Sequence, residues 1–161
     1  MINKLHMAMI ELYHGDAKRI QHFCKVHSYA KLIAEMENVD AKTLFILETA
    51  ALTHDIGIHL CEEKYGNCNG KLQEKEGPAL AEQMLSELGF EKDVIERVSF
   101  LVGHHHTYTG IDGLDYQILV EADFLVNLFE GNTDTAHIRA TYDNIFRTET
   151  GKKICREMFG L

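Results

Sequence analysis

Apolar residues recur at helical spacing along most of this chain, and valine and isoleucine never alternate over a strand-length run. Between Ala17 and Glu37, Ile20, Phe23, Val26, Ala30, Ile33 and Ala34 fall on one helical stripe. From Ala41 to about Ile58 the pattern is apolar almost all round (Leu44, Phe45, Ile46, Leu47, Ala50, Ala51, Leu52), which predicts a central, buried helix. Tyr116 to Glu130 is similarly apolar. Thr135 to Phe159 is amphipathic through Ile138, Tyr142, Ile145, Phe146, Ile154 and Met158, and is expected to form one last helix. A short first helix from Lys4 to Tyr13 ends at His14-Gly15-Asp16. Asp16 and Asp40 are positioned as N-caps for the helices that follow them. Two further helices are expected from Glu76 to Leu88 and from Lys92 to Gly103. Pro78 falls in the first turn of the former and Gly89 at its C-terminal cap. His59 to Glu74 and His104 to Gly113 read as polar loops. The expectation is an all-α bundle of six to seven helices.

The chain has 161 residues, enough for one domain with a substantial core, and it shows no internal repeat or linker. One domain is therefore expected over residues 1–161, with the chemistry-bearing part between about 17 and 130. The formal net charge of −9 comes without a basic face, so nucleic-acid partners are not expected. The N-terminus lacks the apolar core of a secretory signal, and no run of 18 apolar residues suggests a membrane span, so a cytoplasmic location is expected. The cysteines Cys24, Cys61, Cys68 and Cys155 form no CxxC pair and read as reduced thiols. The 10 histidines change the picture, because histidine is both a metal ligand and an acid/base residue near neutral pH.

Polar residues interrupt the apolar pattern at particular places. His54 and Asp55 end the most apolar helix, where an unpartnered carboxylate costs several kcal/mol. They form either a buried hydrogen-bonded pair or two ligands of a first-row divalent ion. Asp123 repeats the anomaly between Val120 and Val126. Glu121 points another way and is the weaker candidate. His22 and His27 flank the apolar stripe of their helix from opposite edges, and spacing does not choose between them. His104-His105-His106 is either a solvated run or a place to bind an ion or phosphate and move protons.

Taken in order, these features resemble the HD-domain superfamily of metal-dependent phosphohydrolases. The matching segments are Arg19-x-x-His22-x-x-x-Val26, Ala50-Ala51-Leu52-x-His54-Asp55-Ile56-Gly57, Leu101-x-x-His104-His105 and Glu121-Ala122-Asp123-Phe124-Leu125. The resemblance selects His22 over His27. There is one departure: Gln73 stands where many members carry another histidine, ahead of Gly77-Pro78-Ala79.

The resemblance implies an HD-domain helical bundle in which His22, His54, Asp55 and Asp123 hold one divalent cation (Mn, Fe, Co, Ni, Zn or Mg). With Gln73 in place of histidine, a second ion is not expected. The implied reaction is hydrolysis of a phosphate ester, of a nucleotide or a related small molecule, by water activated at the ion. Asp55 would orient that water, and His104 and His105 would contact the phosphate or assist proton transfer. Arg19, Lys71 and Gln73 are the candidates for substrate binding. The resemblance leaves two alternatives: a two-iron oxygenase on the same fold, or a non-catalytic nucleotide- or metal-binding sensor. The C-terminal amphipathic helix either closes the core or joins copies in a homo-oligomer. The roles of His106, His27 and Glu121 stay open at this level.

Overall fold

The computed structural model describes all 161 residues, and every regular element in it is a helix. There are nine: α1 (Ile2–Leu12), α2 (Ala17–Met36), α3 (Ala41–Thr53), α4 (Ile58–Tyr65), α5 (Gly70–Glu87), α6 (Lys92–Val102), α7 (Leu114–Glu130), α8 (Thr135–Ile145) and α9 (Glu149–Phe159). The all-α expectation holds, and the count exceeds the six to seven read from the pattern. Asp16 caps α2 by accepting from Arg19 N, and Asp40 caps α3 by accepting from Lys42 N and Thr43 N.

α2, α3 and α7 form the centre. α2 packs on both α3 and α7, α3 packs on α6 and α7, and α5 pairs with α6. Leu47, Ala50, Ala51 and Leu52 of α3 and Ile118, Leu119, Val120, Ala122 and Leu125 of α7 are fully buried, as expected for helices apolar all round. The segment Ala41–Tyr65 is long and apolar enough by composition to cross a membrane, but 72% of its most apolar window is buried inside the fold.

Three departures from the sequence reading account for the extra helices. The helix expected to run to Ile58 stops at Thr53, and residues 54–57 form a turn. The expected loop from His59 to Glu74 instead holds α4 and the first turn of α5. α4 spans eight residues and buries Ile58 and Cys61, too few turns for a periodicity to show. Asn69 caps α5 by accepting from Leu72 N, which places Pro78 in the helix interior and not in its first turn. Finally, the single helix expected from Thr135 to Phe159 is broken at Phe146–Thr148. Phe146 is extended (ψ 130°), and Thr148 caps α9 by accepting from Gly151 N.

Candidate metal centre

Three elements bring the site together. α2 supplies His22, the α3–α4 turn supplies His54 and Asp55, and α7 supplies Asp123. The end of α3 is built for polar residues. The Thr49 hydroxyl donates to Phe45 O (2.7 Å) and the Thr53 hydroxyl to Thr49 O (2.9 Å), so neither needs a partner elsewhere. His54 Nδ1 donates to Ala51 O at 2.9 Å. The Tyr13 hydroxyl of α1 donates to Asp55 O at 2.6 Å and pins the turn from the other side.

The ring nitrogens and carboxylates converge closely. His22 Nε2 lies 3.2 Å from His54 Nε2 and 3.1 Å from Asp123 Oδ1. Asp55 Oδ2 lies 3.4 Å from both Nε2 atoms, and Asp123 Oδ1 lies 3.5 Å from that of His54. Each ring's other nitrogen is already committed. His54 Nδ1–H faces the Ala51 carbonyl, and His22 Nδ1–H faces Glu130 Oε2 at 3.0 Å, both pure acceptors. In the neutral tautomer, each Nε2 therefore presents a lone pair to the other and to the carboxylates. Protonating one ring satisfies some of these contacts. Protonating both sets two N–H groups against each other across 3.2 Å. A single divalent cation satisfies two imidazole nitrogens and two carboxylates together, so the donor set fits a metal.

Electrostatics tell the same story. Burial opposes charging His22 and His54. The hydrogen bond from His22 to Asp123, and the Asp55 charge beside His54, outweigh it and raise both rings above their ordinary range. Burial would also raise Asp55 and Asp123. The facing imidazoles hold Asp55 well below the usual carboxylate range, and those of His22 and His54 hold Asp123 below it too. The site thus keeps its acids ionised and calls for positive charge between them.

Asp55 also looks the other way. Its Oδ1 lies 3.4 Å from His105 Nε2, and Asp55, His105 and His106 form a second group of potential ligands. His105 Nδ1 donates to Val102 O at 2.8 Å. Its Nε2 is buried and has no hydrogen-bond partner. Burial, with the neighbouring His105 adding to it, lowers His106 to about 4.

His22, Asp55, Asp123 and His106 open into a cavity of about 220 Å³ that Lys18, Arg19, Gln73 and Glu130 also line, with His54 and His105 buried behind them. Among the residues singled out by sequence, Arg19 stands at this rim, paired with Asp16 at 2.7 Å and with Glu62. Gln73 lines the cavity and is buried. Lys71 is exposed and is not part of the lining. His104 is turned away: its ring stacks on Phe100 and its Nδ1 donates to Phe100 O at 2.7 Å, so of the histidine run it is His105 and His106 that face Asp55. His27 pairs with Glu48 at 2.9 Å, outside both groups. Lys18, Glu130 and Tyr13 were not identified from the sequence, because nothing local distinguishes them from solvated or packing residues.

A helical bundle with paired histidine and aspartate side chains converging at its centre defines a class, and the comparisons place the chain within it. The HD domain family matches residues 19–132. The chain belongs to that family. Among solved structures it is similar to a predicted HD superfamily hydrolase from an uncultured Thermotogales bacterium. That similarity has a TM-score of 0.71 and 25% identity, covering 98% of this chain and 84% of the other. No curated protein matches the chain.

Proposed function

We propose that this protein is a metal-dependent phosphohydrolase acting on a phosphate monoester. The observation that carries this reading is the convergence of His22 Nε2, His54 Nε2, Asp55 and Asp123 without enough protons to reconcile them, at the floor of a cavity rimmed by Lys18 and Arg19. His22, His54, Asp55 and Asp123 would hold one divalent cation. When bound, such an ion polarises a phosphoryl oxygen and lowers the pKa of water.

The chain's own residues do the rest. Lys18 and Arg19 draw the anion to the mouth and offset part of its charge. Asp55 lies between the ligand cluster and His105, so it is placed to orient a water and hold its hydrogen bond. His105 lies behind the lining, with its Nε2 3.4 Å from Asp55 Oδ1, and is placed to act on a proton through Asp55. Without a cation the lining carries Asp55, Asp123 and Glu130 against two cations, one of them already paired twice, and would repel a phosphate. The cavity's 220 Å³ is below the roughly 300–1,000 Å³ common for drug-sized ligands, so it suits one phosphoryl group and a small alcohol. A nucleotide would seat its phosphate here and leave its nucleoside outside. The resemblance to a hydrolase of the same superfamily supports the reaction type.

The group Asp55, His105 and His106 favours a second reading, in which two ions sit on either side of Asp55 and oxidative chemistry replaces hydrolysis. Metal content decides between them. Protein purified without chelator or nickel affinity is expected to hold about one divalent ion per chain and to hydrolyse p-nitrophenyl phosphate or a nucleoside monophosphate. The Asp55→Ala variant should lose its metal and at least ~100-fold of its activity while keeping its fold. Full activity in Asp55→Ala removes the phosphohydrolase reading. Two irons per chain with oxygen uptake establish the second.

A further inference from the structure

The first turn of α5 is shaped around one ring. Gln73 is buried and held at both ends of its amide. Its Nε2 donates to Cys68 O at 2.6 Å, and its Oε1 lies 3.1 Å from His106 Nε2. The Cys68 carbonyl only accepts, so the amide nitrogen must face it and the amide oxygen must face the ring. That oxygen also only accepts. His106 Nε2 must then carry the hydrogen, and in the neutral ring Nδ1 is left with a free lone pair.

The surroundings hold the ring in this pose. Glu74, the next residue of α5, accepts from His106 N at 3.0 Å and from the Thr107 hydroxyl at 2.9 Å. Gly70 leaves room for the ring: a Cβ there would come within 2.8 Å of His106 Cγ and 3.1 Å of Cδ2. α5 thus covers the Cγ–Cδ2–Nε2 edge, and Nδ1 lies on the opposite edge. The ring packs against that of His105, with centroids 4.0 Å apart, and belongs to the group formed with Asp55. Gln73 and His106 both line the cavity.

We infer that Gln73 is a positioning residue that holds His106 as its Nε2–H tautomer, so that the ring offers the cavity an acceptor lone pair at Nδ1 and not a donor. The role of that lone pair rests on the phosphohydrolase reading: it accepts a hydrogen bond from the water or the substrate hydroxyl. The tautomer itself does not rest on that reading. Gln73, in the place of a family histidine, then acts through His106 and is not a substrate contact.

The test uses full-length protein labelled with ¹⁵N-histidine and loaded with Mg²⁺, with ring tautomers read from long-range ¹H–¹⁵N correlations. In the wild type, His106 is expected to be protonated at Nε2 and bare at Nδ1. Gln73→Leu removes the acceptor and should mix the tautomers and lower kcat on p-nitrophenyl phosphate about 10-fold. The ring tautomer is the readout that a purely structural role for the amide would not move. An Nδ1–H tautomer in the wild type overturns the inference. So does a Gln73→Leu protein with unchanged tautomer and kcat. If the wild type turns over no phosphate ester, the phosphohydrolase reading fails, while a tautomer that responds to Gln73→Leu still upholds the positioning role.

Discussion

α7 buries two acids two residues apart, and they live in opposite circumstances. Glu121 is fully buried and completely supplied with donors. Its Oε1 accepts from Arg147 N (2.6 Å), Thr148 N (2.9 Å) and Gln117 Nε2 (2.7 Å), and its Oε2 accepts from the Thr148 hydroxyl (2.5 Å). Asp123, nearly as buried, has one clear donor, Asn127 Nδ2 at 2.9 Å, and otherwise meets the Nε2 atoms of His22 and His54, which donate only when those rings take up a proton and present lone pairs otherwise. A buried carboxylate surrounded by N–H and O–H groups is part of the framework. One surrounded by lone pairs is a place for a cation. The same helix therefore staples the α8–α9 corner with one acid and builds the candidate metal centre with the other.

Exchanging the two losses is the sharpest way to break this contrast. Asp123→Asn should abolish metal binding and at least ~100-fold of any activity with little fall in the Tm of metal-free protein. Glu121→Ala strands four donors and should lower Tm by roughly 10 °C, from a loss of about 3 kcal/mol, with metal content per folded chain unchanged. Metal analysis and thermal unfolding of both variants check this, and the opposite pattern would erase the distinction. Next in size is the histidine pair on α2. His22→Ala should lose the metal. His27→Ala keeps it and loses the part-buried Glu48 contact and the packing of its ring on His6, with a Tm within a few degrees of wild type.

Glu130→Gln should weaken metal affinity about 10-fold, read by isothermal titration, because Glu130 orients His22 through Nδ1. The smallest expected effect is in pH. His22 and His54 are raised above 6.5 in the folded chain without metal. That stabilisation is complete below pH 6.5 and is lost as pH rises through the raised values. Protons and metal compete for the same nitrogens. The gain in Tm on adding Mn²⁺ should therefore be larger at pH 8 than at pH 6, and an equal gain at both would show that these rings are not the ligands.

Much of the candidate cluster was legible because its members violate their local pattern. His54 and Asp55 follow seven apolar positions in α3, and Asp123 interrupts an apolar helix, so burial could be inferred from neighbours in sequence alone. His22 was harder. It and His27 flank the same stripe, and only resemblance separated them, whereas in the structure His27 turns to Glu48 and His22 to His54. The corner at Phe146–Thr148 was hidden for a related reason. Its apolar spacing continues through the break, and the groups that stop the helix there are held by Glu121, some 27 residues earlier.

By itself the sequence determined the all-α class, the central places of α3 and α7, and the polar residues that must find partners inside. These follow from periodicity and from the cost of burying charge, which are local properties. Only the tertiary structure decided which partners those residues find. It turned His104 onto Phe100 and away from Asp55, and it brought His106 against Gln73 across 33 residues. It also left buried His105 Nε2 without a hydrogen bond, 3.4 Å from Asp55 Oδ1. Hydrogen-bond direction depends on distances of a few ångströms between elements far apart in the chain, and no spacing along one helix encodes them.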